Sequence, residues 1–207
     1  MRIIAAQADL DEGCDYLAAV CPVWARVLPQ LGPLPLRRRA DGFGAICDAV
    51  IGQQISVAAA AAITSRMQAA GLLDQAAVAA ASEDDLRAAG LSRPKVRYLK
   101  GIAAADVDWP GLRDLPDDQA MAALVALPGV GHWTAEIYLK FALGRADVLA
   151  SGDLALQESA RLMYDLPARP SARALMALAE PWRPWRAVAA RGLWAYYRMT
   201  KGREGVK

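Results

Sequence analysis

Two short stretches hold the residues best placed to do chemistry. The first is Leu127-Pro128-Gly129-Val130-Gly131-His132-Trp133-Thr134-Ala135, and the second is Gly152-Asp153, about twenty residues on. Before the first, Met121, Ala122, Leu124 and Val125 fall at spacings of three and four, which predicts a helix from Asp117 to Ala126. Pro128 stops it, and a turn tolerates the missing N–H. Gly129 and Gly131 allow backbone angles closed to other residues and leave no side chain in a ligand's way. A new helix starts near His132 and runs through Ile137, Leu139 and Phe141 to Gly144. Its first N–H groups have no partner inside the helix and carry the positive end of the dipole. That is an anion site made of backbone, suited to a phosphate. Asp153 puts a carboxylate at the start of a further helix, where it can cap the helix or stabilise a developing positive charge. Each feature alone is ordinary in helical proteins. In this order they predict a grip on a nucleic-acid backbone and chemistry on a bond of the nucleotide held there.

The elements that must position these residues all read as helices. Asp9 with Glu12 predicts a capping box opening a helix near Leu10. Pro22 starts a helix through Val27. Phe43, Ile46, Cys47, Val50 and Ile51 form an apolar stripe up to Gly52. Val57 to Ala70 is rich in alanine and ends at Gly71. Ser82 caps a short helix closed by Gly90, and Pro94 sits in the first turn of one reaching Ala105. After Asp153 a helix carries Leu154, Leu156, Ala160, Leu162 and Met163 to about Asp165. Ser171 caps another, and the last runs from about Pro184 to Met199. Arg2 to Ala5 is the only strand candidate.

Composition narrows the class. The chain has 207 residues, 55% of them apolar, enough to bury a core in one domain or two small ones. No run reaches the roughly 18 apolar residues of a membrane span. Met1-Arg2-Ile3-Ile4 is too short and turns acidic too soon for a signal peptide. Cys14, Cys21 and Cys47 are odd in number and at no metal spacing, which fits a reducing compartment. The net charge of +2 is modest for a nucleic-acid binder and implies few phosphate contacts. The basic residues cluster at Arg37-Arg38-Arg39, at Arg93, Lys95, Arg97 and Lys100, and from Arg183 to Lys201.

Four ordered blocks give the chain a family resemblance. They are Ala49-Val50-Ile51-Gly52-Gln53-Gln54-Ile55-Ser56-Val57, Leu91-Ser92-Arg93-Pro94-Lys95-Val96-Arg97-Tyr98-Leu99, the hairpin with Gly152-Asp153-Leu154, and Trp182-Arg183-Pro184-Trp185-Arg186 followed by Leu193-Trp194. The chain resembles the helix-hairpin-helix DNA glycosylases, and within them the 3-methyladenine DNA glycosylase II (AlkA-type) branch in a compact form without the N-terminal β domain. The resemblance spans about residues 43 to 194, and the first forty residues do not contribute. It implies an all-α fold of two helical subdomains flanking a DNA-binding cleft. One would combine residues 1–45 with 153–207, and the other, residues 46–152, would hold the hairpin.

The resemblance also implies roles. Asp153 aligns with the catalytic aspartate, and Asp147 is the weaker alternative. Glycosidic bond cleavage passes through an oxocarbenium-like state, positive at the sugar, which a carboxylate stabilises. Relatives that also nick the strand place a lysine two residues after the second hairpin glycine. Trp133 stands there and Lys140 does not match, so the implied enzyme is monofunctional and leaves an abasic site. Trp133 and Trp194 match aromatic base-pocket positions, where an indole face attracts a cationic alkylated purine. Trp24, Trp109, Trp182 and Trp185 read as core. A pocket tyrosine of the large bacterial form falls at Ile137, and Tyr138 points about 100° away on the helix. That departure bears on the breadth of substrates.

A base must be flipped out of the duplex and its place filled. Gln54 holds the position of an apolar wedge, with Gln53 beside it. Gln53, Gln54, Gly129, Gly131 and His132 are therefore expected to contact DNA, and His132 is not expected to be catalytic. The backbone carbonyls of Val125, Leu127 and Val130 match a monovalent-cation site. No cofactor is required, and with no cysteine after Cys47 the iron–sulfur cluster of endonuclease III relatives cannot form. The implied partner is double-stranded DNA with damaged bases, met by a monomer in the cytoplasm at the bacterial nucleoid, or in the nucleus of a eukaryote, and not at a membrane. The alternatives are a non-catalytic DNA-binding module and a glycosylase for another damaged base. Retention of Asp153 and Trp194 argues against the first. The missing lysine and cysteines argue against the commonest forms of the second.

Overall fold

A computed structural model of the chain describes residues 1–202. Among them lie α1 Gln7–Val20, α2 Pro22–Leu31, α3 Phe43–Ile51, α4 Val57–Ala69, α5 Gln75–Ala80, α6 Glu83–Ala88, α7 Arg93–Ala104, α8 Asp117–Val125, α9 His132–Phe141, α10 Leu154–Met163, α11 Ala172–Leu178 and α12 Arg186–Lys201. The fold is all-α. The expected strand at Arg2–Ala5 is reduced to one antiparallel bridge, Ile3 with Arg145.

Side-chain caps fix five of these helix starts. Ser56, Asp74, Ser82, Asp153 and Ser171 each accept from an N–H of the first turn that the helix leaves without a partner. The first helix differs from expectation. It opens at Gln7 after Ala6, and Asp9 is its third residue, accepting from the N–H groups of Ala5 and Ala6 at 2.8 Å each. Asp9 thus supplies the acidic half of a capping box, not the cap. Helix α5, which has only six residues, escapes the sequence periodicity altogether.

The chain divides into two compact units, Arg39–Leu143 and Met1–Arg38 with Gly144–Lys207, of which 203–207 lie outside the described residues. The expected boundaries at 45/46 and 152/153 therefore come several residues late. Hydrogen bonding shows why. Ile4 N–H donates to the Gly144 carbonyl at 2.7 Å and Ala146 N–H to that of Arg2 at 3.1 Å, so the chain joins the N-terminal segment from residue 144 onward. Gly144 has φ +75°, and a Cβ there would lie 2.8 Å from the Ile4 carbonyl oxygen.

Unit 39–143 is built around α3, whose Phe43, Ala45, Ile46, Cys47, Ala49, Val50 and Ile51 are all buried. It packs against α4, α7 and α9. Each fully buried Ile there stabilises the unit by about 1.5–3 kcal/mol. The other unit packs α1, α2, α10 and α12 around tryptophans. Trp24 meets Trp182 edge-on, with ring centroids 5.5 Å apart. Gly192 lets α12 approach that pair, since a Cβ there would lie 2.7 Å from Trp24. No helix among the described residues is long and apolar enough to cross a membrane.

Candidate functional site

The hairpin is α8, a turn and α9, all within unit 39–143. Gly129 sits at φ +71°, and a Cβ there would lie 2.2 Å from the Tyr98 ring. It is the glycine the turn requires, for backbone angle and for space alike. Gly131, in contrast, has φ −89° and ψ 175°, extended backbone that any residue adopts. The expectation that it supplies special backbone angles is not met, because the turn has already reversed at Gly129. What Gly131 supplies is openness: a Cβ built there meets nothing within 4 Å. It caps α9, so the open side lies at that helix's N-terminus, the positive end of its dipole. His132 is exposed in the first turn of α9.

The loop after α3 is tied to this hairpin. Gln53 Nε2 donates to the Gly129 carbonyl and to Thr134 Oγ1, both at 2.9 Å. An amide nitrogen has two protons, so this donor is fully used. Gln53 is half-buried, whereas Gln54 is exposed at φ +57°, a left-handed conformation unusual for a residue with a side chain. Of the two amides expected to meet DNA, only Gln54 projects into solvent. Ile55 beside it is exposed as well.

Lys95 is a residue whose role the sequence conceals. It belongs to a basic cluster, yet it is buried, and Nζ donates to the carbonyls of Ile51 at 2.6 Å and Gln53 at 2.8 Å. Burial pushes its pKa down. Its spacing with Leu99 and Ile102 on the apolar stripe of α7 is the signal that could have found it. Lys100 likewise donates to the carbonyls of Ala79 and Ala81 at the end of α5. Arg93 and Arg97 are the exposed members of that cluster. In the C-terminal cluster, Arg183 and Arg186 both bind Asp147, at 3.1 and 2.6 Å. Asp147 is thus held in an ion pair with both arginines.

Asp153 is the N-cap of α10. Its Oδ1 accepts from the N–H groups of Ala155 at 2.8 Å and Leu156 at 3.1 Å. Gln157 steadies the approach by donating to the Ser151 carbonyl at 2.8 Å. The carboxylate is half-buried, fixed in direction, and set at the positive end of a helix dipole.

The aromatic residues separate by environment. Trp24, Trp182 and Trp185 are buried core, and Trp109 donates to Gln75 Oε1 at 3.0 Å. Trp133 and Ile137, four residues apart on one face of α9, are half-buried and buried respectively. Tyr138 is turned inward, where its hydroxyl accepts from Gly42 N–H at 2.9 Å. Its pKa is pushed up to about 12 by burial. Trp194 lies on α12 and is only 4% exposed. Gln53, Gln54, the hairpin, Trp133 and Ile137 therefore belong to unit 39–143, and Asp153 and Trp194 to the other.

One helical unit thus carries a helix–turn–helix hairpin, and the other a carboxylate that caps a helix start. Residues 47–184 match the model of the HhH-GPD superfamily of base excision DNA repair proteins, and the chain belongs to that superfamily. It is 28% identical over 191 residues to DNA-3-methyladenine glycosylase 1 of Schizosaccharomyces pombe, covering 86% of this chain and 84% of that protein. It is 30% identical over 168 residues to DNA-3-methyladenine glycosylase 2 of Escherichia coli, covering 74% of this chain and 57% of that one. Among solved structures, S. pombe Mag1 in complex with abasic DNA superposes with a TM-score of 0.81 at 26% identity, covering 92% of this chain and 97% of the other.

Proposed function

We propose that this chain is a monofunctional DNA glycosylase that excises alkylated purines of the 3-methyladenine type. The observation that carries this reading is Asp153, a carboxylate aimed by two backbone hydrogen bonds, in a member of a base excision repair family. The relatives named for 3-methyladenine supply the substrate class. The α9 N-terminus at Gly131 grips a phosphate of the damaged strand. Gln54 fills the stack as the lesion flips out, a step that costs a few kcal/mol. Indole faces such as those of Trp133 and Trp194 attract the cationic base, and Ile137 lies one turn from Trp133 on α9. An alkylated purine is already cationic, so it leaves with the electrons of the N–C1′ bond and needs no protonation. Asp153 stabilises the positive sugar and orients the water that adds to C1′, whose released proton passes to solvent. Base and an abasic site are the products.

The carbonyls of Val125, Leu127 and Val130 suit a monovalent cation, whose usual ligands are such oxygens. Val125 ends α8, where carbonyls lack helical partners, and the Leu127 carbonyl keeps a lone pair after accepting from Val130 N–H at 3.1 Å. A cation there would offset the phosphate's charge. The partner is duplex DNA with damaged bases, met by a monomer in the bacterial nucleoid or a nucleus.

The test is base release from methylated DNA, comparing 3-methyladenine with 7-methylguanine, hypoxanthine and ethenoadenine. Release of none of these, with binding to abasic DNA intact, would leave a DNA-binding module and overturn the assignment.

A further inference from the structure

One face of α7 carries Lys95 and, three residues on, Tyr98. Each holds a different part of unit 39–143. The Lys95 amine donates to the carbonyls of Ile51 and Gln53, the last residue of α3 and the first after Gly52. It places a positive charge at the negative end of α3. The Tyr98 ring packs against Gly129, where a Cβ would be 2.2 Å away. One turn further along α7, Gly101 accommodates Pro128 of the same hairpin, and a Cβ there would lie 2.9 Å from its ring. The Gln53 side chain closes the circuit, because its amide joins the loop after α3 to Gly129 and Thr134.

The residue next to this lock, Gln54, is held at φ +57°. A side-chain-bearing residue keeps such a conformation only where its surroundings over-determine it. Lys95 on the preceding carbonyls and the hairpin on the preceding side chain supply that determination.

We propose that Lys95 and Gln53 are positioning residues that lock the Gln54 loop to the phosphate-binding turn, so that gripping the strand and filling the vacated stack occur in one fixed register. The inference rests on the wedge role given to Gln54 above. Without the lock the hairpin still takes its phosphate, but Gln54 is no longer delivered at a set distance from it. The flipped state then loses population. That loss matters where flipping is costly and fades where the lesion has no pairing to break.

The experiment is single-turnover excision of one hypoxanthine, placed either opposite thymine or opposite a tetrahydrofuran abasic analogue. Wild type, Gln54→Ala, Lys95→Met and Gln53→Met are compared, with thermal melting of each. Alongside runs a reading independent of cleavage: the fluorescence of 2-aminopurine next to a tetrahydrofuran site when each protein binds. Lys95→Met keeps most of the apolar stem, one atom shorter, and removes the donor. Gln53→Met, at a half-buried position, guards against a failure of Lys95→Met to fold.

Both variants should excise the paired lesion about tenfold or more slowly, with a much smaller loss on the unpaired one, and should lose the 2-aminopurine response as Gln54→Ala does. The double variant should be no worse than the poorer single, since both break one connection. Equal losses on paired and unpaired lesions mean general destabilisation, and an unchanged fluorescence response means that Gln54 is delivered without the lock; either overturns the inference. If Gln54→Ala is impaired while Lys95→Met and Gln53→Met are not, the inference alone fails. If Gln54→Ala matches wild type in both readings, the wedge assignment fails and takes the lock with it.

Discussion

Gln53 donates its side-chain amide to the Gly129 carbonyl at 2.9 Å, joining two points 76 residues apart in the chain. The loop after α3 and the hairpin turn thus form one hydrogen-bonded piece, although each reads in the sequence as a separate polar motif. Both the grip and the wedge proposed here depend on backbone shape at single residues, and those residues are open to test.

The two hairpin glycines should respond differently. Gly129→Ala places a methyl group against Tyr98 at a left-handed φ. Left-handed backbone costs roughly 1–2 kcal/mol without glycine, and the clash adds to it. A loss of about 2 kcal/mol or more should lower the melting temperature by roughly 4–8 °C. Gly131→Ala meets open space at an ordinary backbone angle, so its stability should stay within about 0.5 kcal/mol of wild type. Gly131→Arg should also fold, yet it should weaken binding to an abasic-analogue duplex by about tenfold or more, despite its added charge, because the guanidinium stem occupies the phosphate's approach. Unchanged binding by Gly131→Arg would remove the hairpin as the phosphate site.

Gln54→Gly should separate stability from activity. Glycine relieves the left-handed cost at φ +57°, so the folded protein should be as stable as wild type or more so, by up to about 1 kcal/mol. The same change deletes the side chain that fills the stack. Excision of a paired lesion should slow by about tenfold or more, a barrier rise of at least 1.36 kcal/mol. A variant that is both more stable and fully active would show that Gln54 is only a loop residue.

Helix starts were legible in the sequence at several side-chain caps, as at Ser82, Asp153 and Ser171, although not at Asp74 before α5. Such a cap is local, so residue type and spacing announce it. The hairpin was legible for the same reason. Long-range pairing was not. Lys95 looks like surface charge until α3 is laid against α7, and Gln53 looks like a DNA contact until its amide finds Gly129 and Thr134. The unit boundary was misplaced by the same kind of contact, since Gly144 is fixed to Ile4 through a hydrogen bond between residues 140 apart. Arg183 and Arg186 read as a basic patch, and only the fold brings Asp147 to them.

Trp194 needs a gentler substitution than alanine. It is 4% exposed, so Trp194→Ala would open a cavity costing about 3–5 kcal/mol, and lost activity would report lost packing. Trp194→Phe retains an aromatic face and most of the volume but has the weaker cation–π attraction. It should fold, and it should slow release of the cationic 7-methylguanine by about threefold to tenfold, while leaving the release of neutral hypoxanthine and binding to abasic DNA nearly unchanged; the cation–π range is about 0.5–2 kcal/mol. Equal effects on the cationic and the neutral base would assign Trp194 to the core.

Asp153→Asn puts the catalytic assignment to its hardest test. Asp153 has a demonstrable structural task, since one carboxylate oxygen accepts from both Ala155 and Leu156. Asparagine offers a carbonyl oxygen in the same place and caps helices about as well, so stability should change by roughly 0.5 kcal/mol or less. What asparagine lacks is the negative charge. A charge that stabilises the cationic sugar commonly contributes several kcal/mol, and each 1.36 kcal/mol is tenfold in rate. The variant should therefore melt like wild type. It should bind lesion-bearing duplex at least as tightly, because a charge repelling the phosphates is gone. It should excise about 100-fold more slowly or worse under single-turnover conditions. Melting, binding and excision on one duplex check all three. Near wild-type excision would reduce Asp153 to a helix cap and remove the chemical step proposed for this chain.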